Sequence, residues 1–429
     1  MIPNVLSVVC PPVSQSLPQA VTESARQVAF QALRQISKGA FADVALDRVL
    51  HQDIPPIDRR LITELTYGTL RRQRSLDARI DALASKPAHQ QPADLRLILQ
   101  LGLYQIHHLD QIPDSAAVNT TVELAKQNGF PGLSGFVNGL LRQSVRQKDE
   151  EIPVPQNASE SQIIGIRHSF PDWIVEVWRS QFSLEDTALL CQWMNKTPSI
   201  DLRVNLSKTT FESALNAFTN AGIEAQTLPH VPAAIRLPHG VGSIQRLPGF
   251  IEGHWIVQDS SAQLVSYLLD PQPGETIIDA CAAPGGKTLH IAELMQNQGT
   301  IHALDRTASR LKKLTQNRDR LGFTNIQPHT LDSATDATFV NQCDRLLIDA
   351  PCSGLGTLNR HADARWRQSP ESVTELVALQ QAILHNSAQW VKPGGVMVYA
   401  TCTLHPEENE RQIERFWRIM GNGRSMTGS

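Results

Sequence analysis

Apolar residues recur at helical spacing along the first third of the chain. Ala25, Val28, Ala29 and Leu33 follow one another every three or four residues, which puts them on one face of a helix. Similar spacing continues to about residue 147, and no alternating strand pattern interrupts it. We therefore expect an all-α bundle over residues 21–150. Residues 1–20 lack a clear period and are predicted to be a disordered tail.

Charge and proline at residues 148–156 indicate a linker after this bundle. The residues that follow, up to about 195, read as short helices. Large aromatic side chains are typical core residues, and three tryptophans are predicted to anchor the core of these helices: Trp173, Trp178 and Trp193.

At residue 200 the period changes to that of a strand. A helical run over residues 210–221 follows, and then two further strand-like runs at 224–228 and 234–237. This βαββ order predicts a small α+β module. The linker helices and the module together account for residues 151–255.

From residue 256 onward, strand-like runs alternate with helical ones. The clearest helices are predicted at 307–321 and 372–391. The predicted strands are 276–280, 300–305, 325–332, 345–350 and 396–401. Alternating βα units imply an α/β fold with a Rossmann-like, doubly wound parallel sheet, and ligands bind such sheets at the carboxyl ends of the strands.

Composition narrows the class of protein. The chain has 429 residues, of which 41% are hydrophobic and 19% charged, with a formal net charge of -3. Two or three folded domains are expected at this length. The net charge is slightly negative, so the overall charge does not indicate binding to a polyanion such as RNA, and any such binding would depend on local basic patches. Six cysteines without a CxxC pair predict neither a disulfide framework nor a zinc site. No apolar run approaches the roughly 20 residues that span a bilayer, so we expect a cytoplasmic protein without a membrane segment.

The turn after the first strand of the α/β region is rich in small residues and glycine. It comprises Cys281, Ala282, Ala283, Pro284, Gly285, Gly286 and Lys287. A P-loop requires a glycine where Cys281 stands, and the Gly-x-Gly-x-x-Gly of a dinucleotide site is absent. S-adenosylmethionine, which binds doubly wound folds through a looser turn, remains as the favoured ligand.

Two aspartates support a nucleoside ligand. Asp305 ends the second strand, where a carboxylate can accept hydrogen bonds from ribose hydroxyls, and Asp332 ends the third, within reach of an adenine amino group. Each aspartate is equally consistent with a helix cap or a turn. Their positions at consecutive strand ends favour the ligand.

Two cysteines follow the fourth and fifth strands. Cys352 lies in Asp349-Ala-Pro-Cys, and Cys402 lies in Thr-Cys-Thr. Because these strands are expected to be neighbours, both thiols should open onto the same cleft. Cys10, Cys191 and Cys343 are instead interpreted as small buried hydrophobic residues.

Methylation of a pyrimidine at C5 requires this set of groups. A thiolate adds to C6 and makes C5 nucleophilic, C5 accepts a methyl group, and the thiol is eliminated after C5 loses its proton. Hydrogen bonding to N3 and the 4-amino group stabilises the adduct, a role that suits Asp349.

Several of these segments resemble the RNA (cytosine-5) methyltransferases of the Nol1/Nop2/Sun family. The matching motifs are residues 257–261, 279–288, 349–356 and 401–410. The resemblance implies that Cys402 is the nucleophile and Cys352 the thiol that assists release. It also implies that residues 281–287, Asp305, Asp332 and Asp349 contact S-adenosylmethionine, and that Lys287 and Asp349 face the target base.

The N-terminal bundle resembles the NusB RNA-binding domain through residues 101–105, 112–119 and 135–142. Together the two halves are similar to the Sun type of bacterial 16S rRNA methyltransferases, which implies naked or early-assembly 16S rRNA, and not DNA, as the partner. We also expect the protein to be a monomer. A basic group made of Arg59, Arg60, Arg71, Arg72 and Arg74 is then either a solvated helix face or an RNA contact.

The resemblance covers residues 22–416. Beyond Phe416 the family continues into a hairpin that closes the sheet, whereas residues 417–429 form an atypical tail rich in glycine and serine. We expect the edge of the fifth strand to be left unpaired. The alternative function is therefore a catalytically impaired RNA-binding or ribosome-assembly protein.

Overall fold

The computed structural model describes residues 24–50, 54–238 and 241–420. The predicted tail over residues 1–20, Cys10 and most of the atypical tail lie outside these residues. The N-terminal bundle consists of α1 (Ala25–Ser37), α2 (Ala42–Val49), α3 (Pro56–Leu83), α4 (Ala93–His108), α5 (Asp114–Gln127) and α6 (Ser134–Arg146). Among the described residues, no helix is both long and apolar enough to cross a bilayer.

Helix α4 lies at the centre of the bundle. Its residues Leu95, Ile98, Leu99, Leu101 and Leu103 are all fully buried. Because these positions cover more than one face of a helix, α4 must be surrounded by its neighbours. It packs against α1, α3, α5 and α6, as the predicted all-α bundle requires.

Three short helices connect the bundle to the rest of the chain: α7 (Glu160–His168), α8 (Asp172–Arg179) and α9 (Leu184–Met194). The prediction of three core tryptophans is correct for Trp178, which is fully buried, whereas Trp173 is only partly buried. For Trp193 it is wrong, since half of this residue is exposed. Trp193 lies on the outer face of α9, whereas Cys191 and Met194 of the same helix enter the core.

The small α+β module contains an antiparallel sheet. Its elements are β1 (Ile200–Val204), α10 (Phe211–Asn220), β2 (Gln226–Thr227), β3 (Ala234–Leu237) and β4 (Trp255–Val257). The strand order is β2-β3-β1-β4. The predicted βαββ pattern therefore gains a fourth strand. Trp255 of β4 fills the core beside Phe218, which explains why this strand has no alternating pattern in sequence.

The remaining elements form an α/β unit. They are α11 (Ser260–Leu269), β5 (Thr276–Asp279), α12 (Gly286–Leu294), β6 (Thr300–Asp305), α13 (Ala308–Leu321), β7 (Ile326–Thr330), β8 (Cys343–Asp349), α14 (Ala364–Arg367), α15 (Pro370–Ala388), β9 (Val391–Ala400) and α16 (Glu410–Met420). The five strands are parallel in the order β7-β6-β5-β8-β9. The order reverses at β5, so the switch point lies between β5 and β8.

The predicted strands and helices of this unit are present with shifted ends. Helix α15 begins at Pro370 and ends at Ala388, so Val391 belongs to β9 and not to the helix. β8 and β9 are neighbours, as expected from the sequence. Within the described residues β9 pairs only with β8, so its other edge carries no strand. The first residues of the predicted atypical tail, up to Met420, extend α16, and residues 421–429 lie outside the described part.

The segment that follows Cys352 reaches into the N-terminal half of the protein. Arg365 of α14 is fully buried, and its guanidinium donates to the carbonyls of Arg71 and Ser169 at 3.2 Å. It also donates to Asn195 Oδ1 at 2.8 Å and lies 4.1 Å above the ring of Phe170. Burial, together with the nearby Arg71 and Arg72 charges, lowers the pKa of Arg365 to about 9.

The basic group of α3 is part of this contact. Arg71 is buried and donates to the carbonyl of Asn359 at 3.0 Å. Arg74 binds Asp172 and the carbonyl of Phe170, both at 2.6 Å. The interpretation as a solvated helix face is therefore wrong for these two arginines, because both join separate parts of the chain. RNA contact by the rest of the group stays a prediction.

We expect Arg365→Met to destabilise the fold by about 2–4 kcal/mol, because it leaves several buried carbonyl oxygens without a donor. The measurement is urea unfolding followed by tryptophan fluorescence. Arg367→Met is the matched control from the same helix, since Arg367 donates to the carbonyl of Gly39 from an exposed position. Equal unfolding midpoints for the two variants would contradict this role of Arg365.

Candidate active site

The glycine-rich turn connects β5 to α12. Gly285 has a φ of 109°, a left-handed value that side chains rarely adopt. A Cβ at Gly285 would also come within 2.8 Å of the Leu314 side chain on α13. Position 285 therefore requires glycine for two reasons, the left-handed backbone conformation and the close approach of Leu314. Gly286 begins α12, whose first N–H groups have no partner within the helix.

A buried carboxyl group lies beneath this turn. Asp279 is 1% exposed and accepts a hydrogen bond from Thr288 Oγ1 at 2.6 Å. Burial raises the pKa of Asp279 to about 7, with the Thr288 bond opposing the shift and the Asp349 charge adding to it. Burial therefore favours the neutral form of this carboxyl group at the base of the turn.

A cavity of about 250 Å³ lies at the carboxyl ends of the strands. Predicted site residues contribute much of its lining: Cys281, Ala283, Asp305, Asp332, Asp349, Cys352 and Cys402. The described lining does not include Ala282, Pro284, Gly285, Gly286 or Lys287, which form the turn behind it. Leu331, Leu379 and Ile383 add an apolar wall that the motifs did not indicate.

Asp305 and Asp332 both line the cavity, but they differ in burial and in their partners. Asp305 is buried, accepts from the Thr307 N–H at 2.8 Å and pairs with Arg310 at 3.0 Å. Asp332 is exposed and accepts from the Ala334 N–H at 3.0 Å. Both are therefore turn formers that also line the cavity, which confirms the turn interpretation, and contact with a nucleoside stays a prediction.

The two thiols meet at the ends of β8 and β9. Cys352 Sγ and Cys402 Sγ are 3.3 Å apart, and the backbone N–H of Cys402 donates to Cys352 Sγ at 3.3 Å. The hydrogen bond to Cys402 and burial raise the pKa of Cys352. The hydrogen bond from Cys352 lowers the pKa of Cys402, and Lys287 contributes in the same direction. Burial and the Asp349 charge oppose this shift, and the net direction favours the thiolate on Cys402 with Cys352 as the S–H donor.

An ion pair faces the thiols from the neighbouring strand end and turn. Lys287 Nζ lies 2.6 Å from Asp349 Oδ2, and about a third of the Asp349 side chain is exposed. The pair joins the glycine-rich turn to the end of β8. Because Asp349 keeps an exposed edge towards the cavity, its carboxylate can accept further hydrogen bonds there.

Motif reasoning missed a buried polar network behind the thiols. Glu408 is fully buried, and Gln380 and Ser353 donate to it. Sequence offers little warning of this, because Glu407 and Glu408 are adjacent and have the same charge.

We expect iodoacetamide at neutral pH to label Cys402 first among the cysteines that the structure describes. The reason is that burial raises the pKa of Cys191 and Cys343, whereas that of Cys402 is lowered. Cys352→Ala removes the S–H donor, so labelling of Cys402 should require a pH higher by about one unit. Peptide mass spectrometry across a pH series measures both effects, and an unchanged profile would refute the proposed hydrogen bond.

Comparison with known families agrees with this arrangement. The family model described as 16S rRNA methyltransferase RsmB/F matches residues 266–427. The NusB family model matches residues 23–146, and the RsmF/B-like ferredoxin-like domain matches residues 170–243.

Solved structures share the fold. The crystal structure titled PH0851 superposes with a TM-score of 0.77 at 26% identity, covering 93% of this chain and 90% of that one. A methyltransferase homologue from Pyrococcus horikoshii superposes with a TM-score of 0.54 at 29% identity, over 62% of this chain and 83% of that one.

Curated relatives match over nearly the whole length. A probable ribosomal RNA small subunit methyltransferase B of Synechocystis sp. is 49% identical, over 92% of this chain and 89% of the relative. The corresponding protein of Bacillus subtilis is 37% identical over 92% and 88%, and that of Pectobacterium carotovorum is 36% identical over 91% and 89%. At this identity and coverage, the chain belongs to the ribosomal RNA small subunit methyltransferase B family.

Proposed function

We propose that the chain methylates C5 of a specific cytosine in 16S rRNA, with S-adenosylmethionine as methyl donor and a covalent Cys402–C6 adduct. The observation that carries this proposal is the pair of thiols 3.3 Å apart beside the Lys287–Asp349 ion pair. Direct methylation of an oxygen or an exocyclic nitrogen would need no thiol. Two thiols, of which one is predisposed to ionise, fit a reaction in which a cysteine attacks and then leaves.

The cavity suits the proposed cofactor. Its volume of about 250 Å³, its carboxylates Asp305 and Asp332 and its apolar wall match a nucleoside with hydroxyl and amino groups. We assign the turn at Cys281–Lys287, together with Asp305, Asp332 and Asp349, to holding it. When bound, S-adenosylmethionine supplies an electrophilic methyl group.

Cys402 is the proposed nucleophile. Its thiolate attacks C6 of cytosine, the C5–C6 double bond opens, and electron density moves to C5, which then accepts the methyl group. C5 then gives its proton to solvent with the assistance of Cys352, the electron pair of the C5–H bond re-forms the double bond, and the C6–S bond breaks and regenerates the thiolate. The low pKa of Cys402 makes it a good leaving group as well as an available nucleophile.

Cys352 and Asp349 support the two halves of this cycle. The S–H of Cys352 stabilises the Cys402 thiolate before attack, and Cys352 assists proton removal and release afterwards. Asp349 hydrogen-bonds the N3 and amino edge of the base, and Lys287 orients Asp349 through their 2.6 Å contact.

The partner is proposed to be naked or early-assembly 16S rRNA. The relatives carry the name ribosomal RNA small subunit methyltransferase B, and the NusB match adds a domain whose family name is associated with RNA. We propose that the protein works as a monomer in the cytoplasm and does not act on DNA. A bound rRNA would have to reach the thiols from the exposed side of Cys402.

The test is transfer of labelled methyl from S-adenosylmethionine to protein-free 16S rRNA, followed by nucleoside analysis. Appearance of a single 5-methylcytidine supports the proposal, and bisulfite mapping then identifies its position. RNA binding without methyl transfer would favour the alternative of an assembly protein. Label at another atom of the base would refute the C5 mechanism.

Cys352→Ala is expected to accumulate a covalent RNA–protein adduct during this assay. The adduct still forms, because Cys402 remains, but its elimination loses the assisting thiol. Denaturing electrophoresis with labelled RNA measures the adduct. Its absence, with methyl transfer undiminished, would remove Cys352 from the release step.

A further inference from the structure

A short segment after the second cysteine contacts the loops of both thiols. Glu408 is 0% exposed, and it accepts hydrogen bonds from the backbone N–H of Ser353 and from Gln380 Nε2, both at 2.9 Å. The Ser353 hydroxyl donates to the same carboxylate. A buried carboxylate is costly unless several donors surround it. The N–H and the hydroxyl of Ser353 belong to the loop of Cys352, and Gln380 lies on α15 beside it.

These bonds hold Cys352 from both sides. Ser353 follows Cys352 directly, and Pro351 precedes it. Gln380 Nε2, which donates to Glu408, also donates to the carbonyl of Pro351 at 2.9 Å. The backbone on either side of Cys352 is therefore tied to one pair of buried side chains.

The next residue does the same for Cys402. Asn409 Oδ1 accepts from Thr401 Oγ1 at 2.5 Å, and Asn409 Nδ2 donates to the carbonyl of Thr403 at 3.0 Å. Thr401 and Thr403 flank Cys402. The hydroxyls of Ser353 and Thr403 lie 2.8 Å apart and connect the two loops.

We propose that Glu408 and Asn409 are positioning residues that set the distance between the two thiols. In the structure neither side chain bonds to a thiol, so each acts through the residues that flank Cys352 and Cys402. The proposal deepens the function argued above and rests on it for the catalytic consequence. The claim that these two residues fix the distance between the thiols concerns only the two loops and does not depend on the proposed function.

A change in the distance between the two thiols should alter the ionisation of Cys402, because the strength of their hydrogen bond falls steeply with distance. A shift of one loop lengthens the 3.3 Å contact and removes the S–H donor from the Cys402 thiolate. Cys402 then ionises at higher pH, and Cys352 no longer lies beside the C6–S bond during release. Misplacement of reacting groups by a small distance lowers turnover more than substrate binding.

Glu408→Gln tests the proposal with nearly unchanged shape. The amide NH₂ then faces either the Ser353 N–H and Gln380, where hydrogen bonds break, or the Ser353 hydroxyl, which must stop donating to residue 408 and accept instead. We expect labelling of Cys402 by iodoacetamide to need a pH higher by about half a unit to one unit. We also expect kcat to fall about 10-fold to 100-fold while KM for RNA stays within about twofold.

Glu407→Gln is the matched control. Glu407 is adjacent, and its carboxylate pairs with Arg411 and Arg415 at the surface of α16. Glu407→Gln removes the same charge as Glu408→Gln. Because the Glu407 carboxylate pairs with Arg411 and Arg415 and not with the two thiol loops, this variant should keep the Cys402 labelling profile and kcat of the unaltered protein. Asn409→Asp is the second test variant, since it keeps an acceptor for Thr401 and loses the donor to the Thr403 carbonyl.

Labelling needs neither RNA nor cofactor, so it separates the two proposals. A shifted profile in Glu408→Gln or Asn409→Asp, with the Glu407→Gln profile unchanged, supports the positioning role even if the unaltered protein transfers no methyl group. In that case only the proposed function is overturned. Unshifted labelling and unchanged kcat in both test variants would overturn the positioning role. If Glu408→Gln does not fold, judged by circular dichroism, Asn409→Asp decides alone.

Discussion

Replacing Cys402 by alanine is expected to lower methyl transfer to 16S rRNA by at least about 10³-fold, the largest effect of any single substitution in this protein. The substitution removes the only described thiol whose pKa is lowered, and burial and hydrogen bonding raise the pKa of its partner Cys352. C6 of the base then receives no nucleophile, and C5 is too weakly nucleophilic to react alone. The measurement is single-turnover transfer of labelled methyl, with RNA binding measured in parallel.

Two outcomes separate a chemical role of Cys402 from a structural one. Binding of RNA should change little, because Cys402 is exposed at the end of β9 and its loss removes no core packing. The double variant Cys352→Ala, Cys402→Ala should form no covalent adduct, in contrast to Cys352→Ala alone. Normal turnover by Cys402→Ala together with inactivity of Cys352→Ala would reverse the roles of the two cysteines.

Much of this site could be predicted because parallel sheets impose a strong rule. Strand-like runs before Asp349 and Cys402 were evident, and the rule places the residues after such runs at one edge. The neighbouring positions of β8 and β9 brought Cys352 and Cys402 together as expected. The fold class followed from the change of hydrophobic period in the same way, and family likeness supported both.

Burial of charged residues was harder to predict. Glu408 and Arg365 are both fully buried, yet Glu407, next to Glu408, and Arg367, two residues after Arg365, carry the same charges and are at least partly exposed. Nothing local distinguishes Glu408 from Glu407, because the difference arises from Ser353 and Gln380, which are distant in sequence. The burial of Arg365 likewise depends on carbonyl groups that are distant in sequence, those of Arg71 and Ser169, to which its guanidinium donates. Local patterns contain no information about such partners.

Tryptophan positions illustrate a related limit. Trp178 and Trp193 are both large aromatic residues on short helices, but only Trp178 is in the core. The phase of a short helix is poorly determined by two turns of sequence, so its inward face cannot be assigned from spacing alone. Trp255 shows the opposite case, since it is fully buried in a strand that the pattern did not indicate.

Asp349→Asn is expected to lower methyl transfer by about 10²-fold to 10³-fold, because the base loses a charged hydrogen-bonding partner when the adduct forms. Lys287→Met should also be strongly impaired, since Lys287 orients Asp349 through a 2.6 Å contact. The two effects should be less than additive in the double variant, because both act through one ion pair. Single-turnover rates of the three variants measure this coupling.

The same two substitutions should shift the pKa of the Cys402 thiol in opposite directions. The Asp349 charge raises the pKa of Cys402, and the Lys287 charge lowers it. Asp349→Asn should therefore allow iodoacetamide labelling of Cys402 at lower pH, and Lys287→Met should require higher pH. If Asp349 acted only by tuning the thiol, Asp349→Asn would produce more thiolate and react faster. With S-adenosylmethionine at saturation, a slower reaction despite easier ionisation assigns Asp349 to the base, whereas a faster one would refute that role.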